Sequence, residues 1–301
     1  MAEQSGIQSA AAIARIVPRL ADIGGISVSR LLPSRQRRMI GAWCFLDHAG
    51  PAEFAAGGGM RVGAHPHTCL QTFTWMIAGE VLHRDSLGNV QVIRPGQVNL
   101  MTAGRGVVHT EESVPGETHL HAAQLWIALP PALGDCDPAF EHYPDLPRWT
   151  QDGCAFTLLA GEHGRQRSPV GLHSPLLGLE LHASAASRVV VELRPGFEHG
   201  ILVLDGAARI GGEHFVRDEL ADLGRGRAAV ELELVPGSCL LLLGGEPFAA
   251  KVLMWWNFVG FSKAGIARAQ RDWESGSPRF GAVAGHDGQR LMPPPLPWPG
   301  D

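Results

Sequence analysis

Two short motifs place a second metal-ligating side chain two residues after a histidine. They are His65-Pro66-His67 and His109-Thr110-Glu111. Residues two apart in a β-strand point to the same face, so each motif can present both of its side chains to one point. If the two strands face each other inside a barrel, they offer three imidazole nitrogens and one carboxylate oxygen. That set suits a divalent first-row metal with two coordination positions left open for chemistry.

The alternative is that both motifs are ordinary polar faces of strands. With 14 histidines in the chain, pairs arise easily by chance, and His119-Leu120-His121 is a third one. Glycine-bearing turns at residues 62–64 and 103–106 precede only the first two motifs, and glycine lets backbones approach closely. The spacing therefore predicts four metal ligands: His65, His67, His109 and Glu111. We expect His119 and His121 to lie on a solvated face or behind the ligands, and His48, next to Asp47, to be a structural hydrogen-bonded histidine.

Composition limits the classes of protein that can carry such a site. The chain has 301 residues with 30 acidic and 25 basic side chains, a formal net charge of -5. This charge argues against binding to nucleic acid, and a hydrophobic content of 45% argues against disorder. The 38 glycines and 22 prolines favour many short strands joined by tight turns, so an all-β fold is predicted.

The cysteines and the N-terminal segment bear on location. The five cysteines are odd in number and scattered, which indicates a reducing compartment rather than a disulfide framework. No targeting segment and no long apolar run is seen, so a cytoplasmic protein without membrane contact is expected. The arginines at positions 30, 35, 37 and 38 form the main basic run, and we interpret it as a solvated turn and strand edge rather than a partner-binding patch.

Short alternating runs divide the chain into units. Strand patterns cover residues 63–129, turn-forming residues dominate 130–154 and suggest a linker, and a second series of strands follows from residue 155. Residues 93–104 align without gaps with 234–245, which indicates an internal duplication. A helix capped by Ser262 and closed by Gly276 is predicted near the end, followed by an extended proline-rich tail at 293–299.

Several longer motifs make the sequence resemble the pirin family. Beyond the two histidine motifs, the resemblance rests on these segments: Leu32-Pro-Ser-Arg-Gln-Arg-Arg-Met39, Phe45-Leu-Asp-His-Ala-Gly-Pro51, His83-Arg-Asp-Ser-Leu-Gly88, Thr102-Ala-Gly-Arg-Gly-Val-Val-His-Thr-Glu111, Gln124-Leu-Trp-Ile-Ala-Leu-Pro130 and Trp255-Trp-Asn-Phe-Val259. It covers nearly the whole chain after about residue 20.

The resemblance implies an all-β bicupin: two tandem antiparallel β-barrels of the cupin (jelly-roll) type with a short C-terminal helix. The expected units are a metal-binding cupin domain at 20–135, a metal-free cupin domain at 155–260, and a helix and proline-rich tail at 261–301 that pack back on the barrels. It also implies one Fe(II) in the first barrel. The family's ligands fall on His65, His67, His109 and Glu111, the same positions that spacing selects.

Two features refine this expectation. Where pirin-like sequences usually carry a glutamate after the H-x-H motif, this chain has Gln71, so a charge expected near the metal is replaced by an amide. Nearby Cys69 is interpreted as a small buried hydrophobe rather than a ligand or redox switch. In the second domain, the positions that correspond to His109 and Glu111 are Ala250 and Val252, which cannot bind a metal.

The resemblance implies two functions of different class. In the first, the protein is a quercetin 2,3-dioxygenase that uses O2 and a flavonol-like substrate. There Glu111 binds the metal and takes the flavonol hydroxyl proton as catalytic base, and Gln124 is a candidate hydrogen-bonding residue of the substrate pocket. In the second, the iron is structural or redox-sensing and the protein regulates a protein partner, a transcription factor or a metabolic enzyme. Three histidines and a glutamate would also accept Mn, Co, Ni, Cu or Zn.

Overall fold

The computed structural model describes residues 12–55, 58–286 and 289–298, and almost all of its regular structure is β-strand. None of the helices within these ranges is long and apolar enough to span a membrane. In chain order the elements are β1 (Ala14–Ile16), β2 (Arg19–Ile23), β3 (Ile26–Leu32), β4 (Trp43–Glu53), β5 (Arg61–His67), β6 (Leu70–Ala78), β7 (Val81–Asp85), β8 (Val90–Ile93), β9 (Val98–Thr102), β10 (Val107–Ser113), β11 (His119–Ala128), β12 (Ala139–Tyr143), β13 (Arg148–Gln151), β14 (Cys154–His163), β15 (Gln166–Arg167), β16 (Leu176–Ala183), β17 (Ser187–Glu192), β18 (Glu198–Asp205), β19 (Ala207–Ile210), β20 (Glu213–Val216), β21 (Leu220–Gly224), β22 (Ala229–Leu234), β23 (Ser238–Gly245), β24 (Leu253–Trp255), β25 (Phe258–Gly260) and α1 (Lys263–Glu274).

The strands form two barrels, each made of a large and a small sheet. The first barrel combines the order β12-β9-β6-β11-β4-β3-β2 with the order β5-β10-β7-β8. The second combines β1-β21-β18-β23-β16-β14-β13, with β15 on β14, and β17-β22-β19-β20. Neighbouring strands run antiparallel. The predicted all-β bicupin fold is confirmed.

The segment at 130–154 is more ordered than a linker. It contains a 3-10 helix (Pro131–Leu133), and then β12 pairs with β9 of the first barrel and β13 pairs with β14 of the second. The prediction of a linker fails here because two aromatic side chains outweigh the surrounding turn residues. Phe140 packs against the core of the first barrel and Trp149 against that of the second.

The described segments at the two ends of the chain each contact the barrel that is more distant from them in the sequence. Strand β1 pairs with β21 of the second barrel, whereas Phe258 of β25 and Trp273 of α1 pack on Ala64 and Val108 of the first. The predicted helix is confirmed, with the Ser262 hydroxyl accepting from the backbone N–H of Gly265 at its start. Of the expected third unit at 261–301, residues 287–288 and 299–301 lie outside the described residues.

A hydrophobic core joins the two large sheets face to face. Its buried members come from both barrels, including Phe73 and Leu125 from the first and Leu202 and Leu241 from the second. Trp43 is fully buried at this junction, and its indole N–H donates across it to the carbonyl oxygens of Leu177 (3.3 Å) and Gly244 (3.1 Å). The barrels are therefore held together by an interior like that of a single domain.

Two of the four arginines predicted to form a solvated edge are instead half-buried in ion pairs. Arg37 donates to both carboxylate oxygens of Asp222 (2.8 and 2.7 Å) and to Glu198 (3.0 Å) of the second barrel. Arg30 forms a two-pronged pair with Asp47 inside the first barrel. The expectation was wrong for these two because their carboxylate partners are distant in sequence or on the next strand.

The core of the second barrel consists mostly of apolar side chains, and a buried histidine lies beside its Phe197. Its core consists of residues such as Phe156, Leu179 and Leu240, whereas His199 is fully buried with both ring nitrogens unpartnered. Burial lowers the pKa of His199 to about 4. Since the unfolded chain would bind this proton below about pH 6.5, His199 makes folding less favourable as the pH falls from 6.5 towards 4.

Replacement of this imidazole should make the protein more resistant to acid. We expect His199→Leu to gain about 2 kcal/mol in unfolding free energy, relative to the wild type, between pH 7.5 and pH 5. Urea denaturation at both pH values measures this difference. The matched control is His182→Leu, since His182 is exposed in the same barrel. Equal pH dependence of wild type and His199→Leu would contradict the assignment.

Candidate metal centre

The pairing of β5 with β10 brings the two histidine motifs together. His65 lies directly opposite His109, and His67 lies opposite Val107. A bulge then shifts the register, so that Glu111 pairs with Val62. Residues paired across antiparallel strands share a face, and this places the motif side chains on the inner face of the barrel. The structure thus brings His65, His67 and His109 together, whereas Glu111 lies near His109 but is not grouped with His65 and His67.

Three imidazoles converge at the centre of the first barrel. One ring nitrogen from each of His65, His67 and His109 lies within 4.8 Å of the others. The Nε2 atoms of His67 and His109 are 3.1 Å apart. All three residues are buried.

Two of these rings are oriented by backbone carbonyls. His65 Nδ1 donates to the carbonyl oxygen of Gly63 (2.8 Å), and His67 Nδ1 donates to that of Asn257 (3.0 Å), in the turn between β24 and β25. With the proton of His67 on Nδ1, its Nε2 carries a lone pair that faces Nε2 of His109. Such an arrangement favours a cation between the nitrogens.

Burial keeps the imidazoles neutral. It lowers the pKa of His65 to about 4 and the pKa of His67 and His109 well below the ordinary value. Neutral imidazole is the form that binds metals, so no proton has to be displaced at pH 7. The donor set therefore fits a divalent first-row metal.

Glu111 belongs to a second, overlapping group. Its carboxylate lies within 4.8 Å of ring nitrogens of His83 and His109, and it lines the same cavity as the three imidazoles. Burial raises the pKa of Glu111, and the nearby His83 opposes this rise. Both groups found among the described residues share His109 and lie in the first barrel.

The dyad of His83 and Asp85 at this site was not selected by sequence reasoning. His83 Nε2 contacts Asp85 Oδ2 (3.1 Å), and its Nδ1 faces Nδ1 of His109 (3.4 Å). Both side chains are buried. The signal was present, because His83-Arg84-Asp85 has the same two-residue spacing on a strand as the histidine motifs.

A cavity of about 310 Å³ opens beside the imidazoles. One wall is aromatic, with the rings of Phe45 and Trp126 stacked at 4.0 Å and Trp126 edge-on to His67 at 5.0 Å. The guanidinium of Arg30 lies 4.6 Å above the Phe45 ring. The volume is near the lower end of the range for small-molecule sites, about 300 Å³.

A row of polar side chains crosses the same wall next to the aromatic pair. Arg30, Asp47, Gln124 and Thr74 are paired in register across β3, β4, β11 and β6. Arg30 donates to both carboxylate oxygens of Asp47 (2.7 and 2.6 Å), and the Thr74 hydroxyl donates to Gln124 Oε1 (2.8 Å). Gln124 lines the cavity, as do Arg30 and Asp47.

The remaining histidines lie in other surroundings. His48 is buried and contacts Asp218 through Nδ1 (2.6 Å) and His121 through Nε2 (2.8 Å), which confirms its structural, hydrogen-bonded character. His119 is exposed. His121 is buried in this contact between the barrels, and neither group of potential ligands includes it.

Gln71 does not occupy the neighbourhood expected for it. Its side chain is fully buried and donates to the Thr102 hydroxyl (3.0 Å) and to the carbonyl oxygen of Gly171 (3.3 Å) of the second barrel. Its neighbour Thr72 lines the metal-side cavity, and successive residues of a strand point to opposite faces. The expectation that position 71 lies near the metal was therefore wrong. Cys69 adopts a positive φ of 57° in the turn before β6 and is half-buried.

Comparison with known proteins covers both barrels. The family model described as Pirin matches residues 25–127, and the model described as Pirin C-terminal cupin domain matches residues 178–281. A protein of Pseudomonas aeruginosa named "Putative quercetin 2,3-dioxygenase" is 63% identical over 285 residues, which cover 94% of this chain and 90% of that protein. A "Pirin-like protein" of Caulobacter vibrioides is 35% identical over 86% of this chain and 91% of its own length.

A solved structure shows the same architecture. The crystal structure of quercetin 2,3-dioxygenase from Acinetobacter baumannii superposes with a TM-score of 0.93 at 50% sequence identity, covering 95% of this chain and 96% of that one.

The converging imidazoles generate a test of metal binding. We expect protein purified without added metal, or reconstituted with Fe(II), to hold about one first-row metal per chain. His67→Ala should lose it, because one of the three converging imidazoles is removed, while His119→Ala should retain it since His119 is exposed. Elemental analysis gives the stoichiometry. Equal metal content in wild type and His67→Ala would contradict this ligand set.

Proposed function

The chain belongs to the pirin family, and from this premise we propose that it is a flavonol 2,3-dioxygenase that uses Fe(II), O2 and a quercetin-like substrate. The observation that carries the proposal is the opening of three neutral imidazoles into a cavity with a stacked aromatic wall. The barrel supplies donors for a metal and, beside them, a surface for a planar aromatic ligand.

His65, His67 and His109 would hold the metal, with Glu111 as the fourth ligand. When bound, Fe(II) supplies the redox chemistry that couples a flavonol to dioxygen. The backbone carbonyls of Gly63 and Asn257 keep the protons of His65 and His67 on Nδ1 and leave Nε2 free to bind. This part of the proposal requires no rearrangement of those two rings.

Glu111 would act as the general base. Burial raises the pKa of the Glu111 carboxyl, which favours proton uptake by a carboxylate oxygen that is not bound to the metal. It lines the cavity, where a flavonol 3-hydroxyl can reach it. In this role a carboxylate oxygen takes the hydroxyl proton and leaves a flavonolate, the electron-rich form that reacts with dioxygen before the ring opens with loss of carbon monoxide.

The aromatic pair and the polar row would recognise different parts of the substrate. Phe45 is covered on its two faces by Trp126 and the Arg30 guanidinium, so the aromatic pair would contact the planar ring system mainly through ring edges and Trp126. Arg30 is already neutralised by Asp47, so the polar row suits hydroxyl groups better than a carboxylate. Gln124 lies on the same row, about 7 Å along β11 from Trp126, and would bind hydroxyls on the far ring of the substrate.

The free cysteine thiols support a proposal for where the protein is located in the cell. All five cysteines are free, as a reducing compartment favours, and we place the protein in the cytoplasm.

Replacement of Glu111 should slow turnover strongly while it leaves the three histidines of the metal site in place. We expect Fe(II)-loaded Glu111→Gln to consume oxygen with quercetin at least about 100-fold more slowly than the wild type, because an amide cannot accept the proton. The control is Glu112→Gln, whose side chain is paired with Arg84. Oxygen-electrode traces with metal content measured on the same samples decide the matter.

Two results would change the proposal. If Glu111→Gln consumes oxygen at the wild-type rate, Glu111 is not the general base. Metal-loaded wild type without any oxygen uptake would reject the dioxygenase and favour the regulatory function, in which the iron reports its redox state to a protein partner.

Gln124 should affect recognition rather than chemistry. We expect Gln124→Leu to raise KM for quercetin by about 3- to 10-fold, the value of one hydrogen bond, with little change in kcat. A flavonol that lacks hydroxyls on the far ring should show no such rise. Steady-state oxygen uptake with both substrates measures the split, and an equal rise for the two would place Gln124 outside the recognition of those hydroxyls.

A further inference from the structure

The three imidazoles differ in what holds their second nitrogen. Backbone carbonyls fix His65 and His67, whereas Nδ1 of His109 faces another side chain, Nδ1 of His83, at 3.4 Å. His83 in turn contacts Asp85 through Nε2 at 3.1 Å. A chain of three side chains therefore leads from the converging imidazoles to a buried carboxylate.

One assignment of protons satisfies every member of this chain. If His109 is neutral with its proton on Nδ1, it donates to Nδ1 of His83 and keeps Nε2 free. His83 must then carry its own proton on Nε2, where it donates to Asp85 Oδ2. This is the tautomer that a metal on Nε2 of His109 requires, and the carboxylate at the end of the chain selects it.

The dyad is fixed by its surroundings. Strand β7 pairs with β10 so that Asp85 lies opposite His109 and His83 opposite Glu111. The Asp85 carboxylate also accepts from the backbone N–H groups of Leu87 (2.9 Å) and Asn89 (3.1 Å) and from the Asn89 amide.

An aromatic ring also holds the imidazole of the dyad. Phe140 stacks on His83 at 4.5 Å with an angle of 17° between the rings. The dyad is thus held by hydrogen bonds to Asp85 and by aromatic packing on His83.

We propose that His83 and Asp85 are positioning residues that orient His109 and strengthen its Nε2 as a metal donor. This inference rests on the proposed metal site but not on the substrate or the reaction. It assigns unequal roles to the three imidazoles: His65 and His67 are held by neutral carbonyls, and His109 is the ligand coupled to a negative charge. His109 would then set both the affinity for iron and the balance between its ferrous and ferric states.

The test uses binding and potential rather than turnover. The variants are His83→Leu, His83→Asn, Asp85→Asn and the double variant His83→Leu/Asp85→Asn. Anaerobic titration with Fe(II) gives Kd, and redox titration of the loaded protein gives the midpoint potential. The matched control is His121→Asn, another buried histidine in contact with a side chain but outside the ligand groups.

We expect His83→Leu to weaken Fe(II) binding about 10- to 100-fold, as loss of a partner behind a ligand usually does. His83→Asn should recover part of this affinity, since an amide oxygen near the position of Nδ1 can accept from His109. Asp85→Asn should weaken binding and raise the midpoint potential, because the less negative chain stabilises the ferric state less. In the His83→Leu background, where the chain is broken, Asp85→Asn should change both quantities much less than it does in the wild type.

Three results would overturn the proposal. Wild-type Kd and potential in Asp85→Asn and His83→Leu would show that the dyad does not act on the metal. An effect of Asp85→Asn that is equally large without His83 would show that the charge acts directly. A lower count of nitrogen ligands in His83→Leu, measured by X-ray absorption, would make His83 a ligand.

The outcome is separable from the fate of the proposed function. Expected shifts of Kd and potential without oxygen uptake by the wild type would reject the dioxygenase and retain the relay. Oxygen uptake by the wild type, together with unchanged Kd and potential in the variants, would do the reverse.

Discussion

The antiparallel register of β5 and β10 is the constraint on which the candidate metal centre depends. It sets His65 opposite His109, and the bulge after this pair aligns Glu111 with Val62 instead of the next residue in step. A slip of β10 by one residue relative to β5 would turn the ligands on β10 to the opposite face of the sheet, away from those on β5. The bulge also frees the backbone of Ala64, which accepts from the N–H of Leu291 and donates to the carbonyl of Gln289. The tail of the chain therefore completes the edge of the strand that carries the first two ligands.

The same dependence on remote sequence holds inside the site. The carbonyl of Asn257, nearly 200 positions away, fixes the tautomer of His67, and the hydroxyl of Thr68 donates to the carbonyl of Val259 at 2.9 Å. Phe258, Trp273 and Phe280 pack behind this segment as one cluster. At Gly106 the close approach of Phe280 leaves no room for a Cβ, and φ is +151°. The second half of the chain thus contributes to the first barrel through backbone oxygens and packing, while every candidate ligand comes from the first half.

The limits of sequence reasoning here follow from what spacing can and cannot report. The period of two residues correctly paired His65 with His67 and His109 with Glu111, because alternation is a local property of a strand. The same rule also predicts that His83 and Asp85 share one face of their strand. Gln71 was misplaced because its distance along the chain from His67 says nothing of the turn between them, which reverses the face. The carbonyl of Asn257 leaves no signal, since every residue has a carbonyl. Which ones meet a ligand is decided by tertiary packing.

The asymmetry between the barrels has an energetic reason. Nε2 of His65 and His67 is left without a backbone partner, and an unsatisfied buried polar group costs roughly 1–3 kcal/mol. A fully buried leucine or phenylalanine contributes about 1.5–3 kcal/mol to the free energy of unfolding, so one or two such side chains offset the cost of each unpartnered nitrogen. The second barrel supplies these in its interior and across the shared core. A barrel filled with apolar side chains can therefore stabilise a neighbour whose own interior is kept partly open and polar. The sheet orders correct the predicted alignment, because β22 takes the place of β10 in the second barrel, whereas Ala250 and Val252 follow β23 and lie in no strand. The buried residues of β22 are apolar, so one barrel serves stability and the other can serve chemistry. Because the two barrels share a core, apolar packing in the second barrel also stabilises the arrangement of the neutral imidazoles in the first.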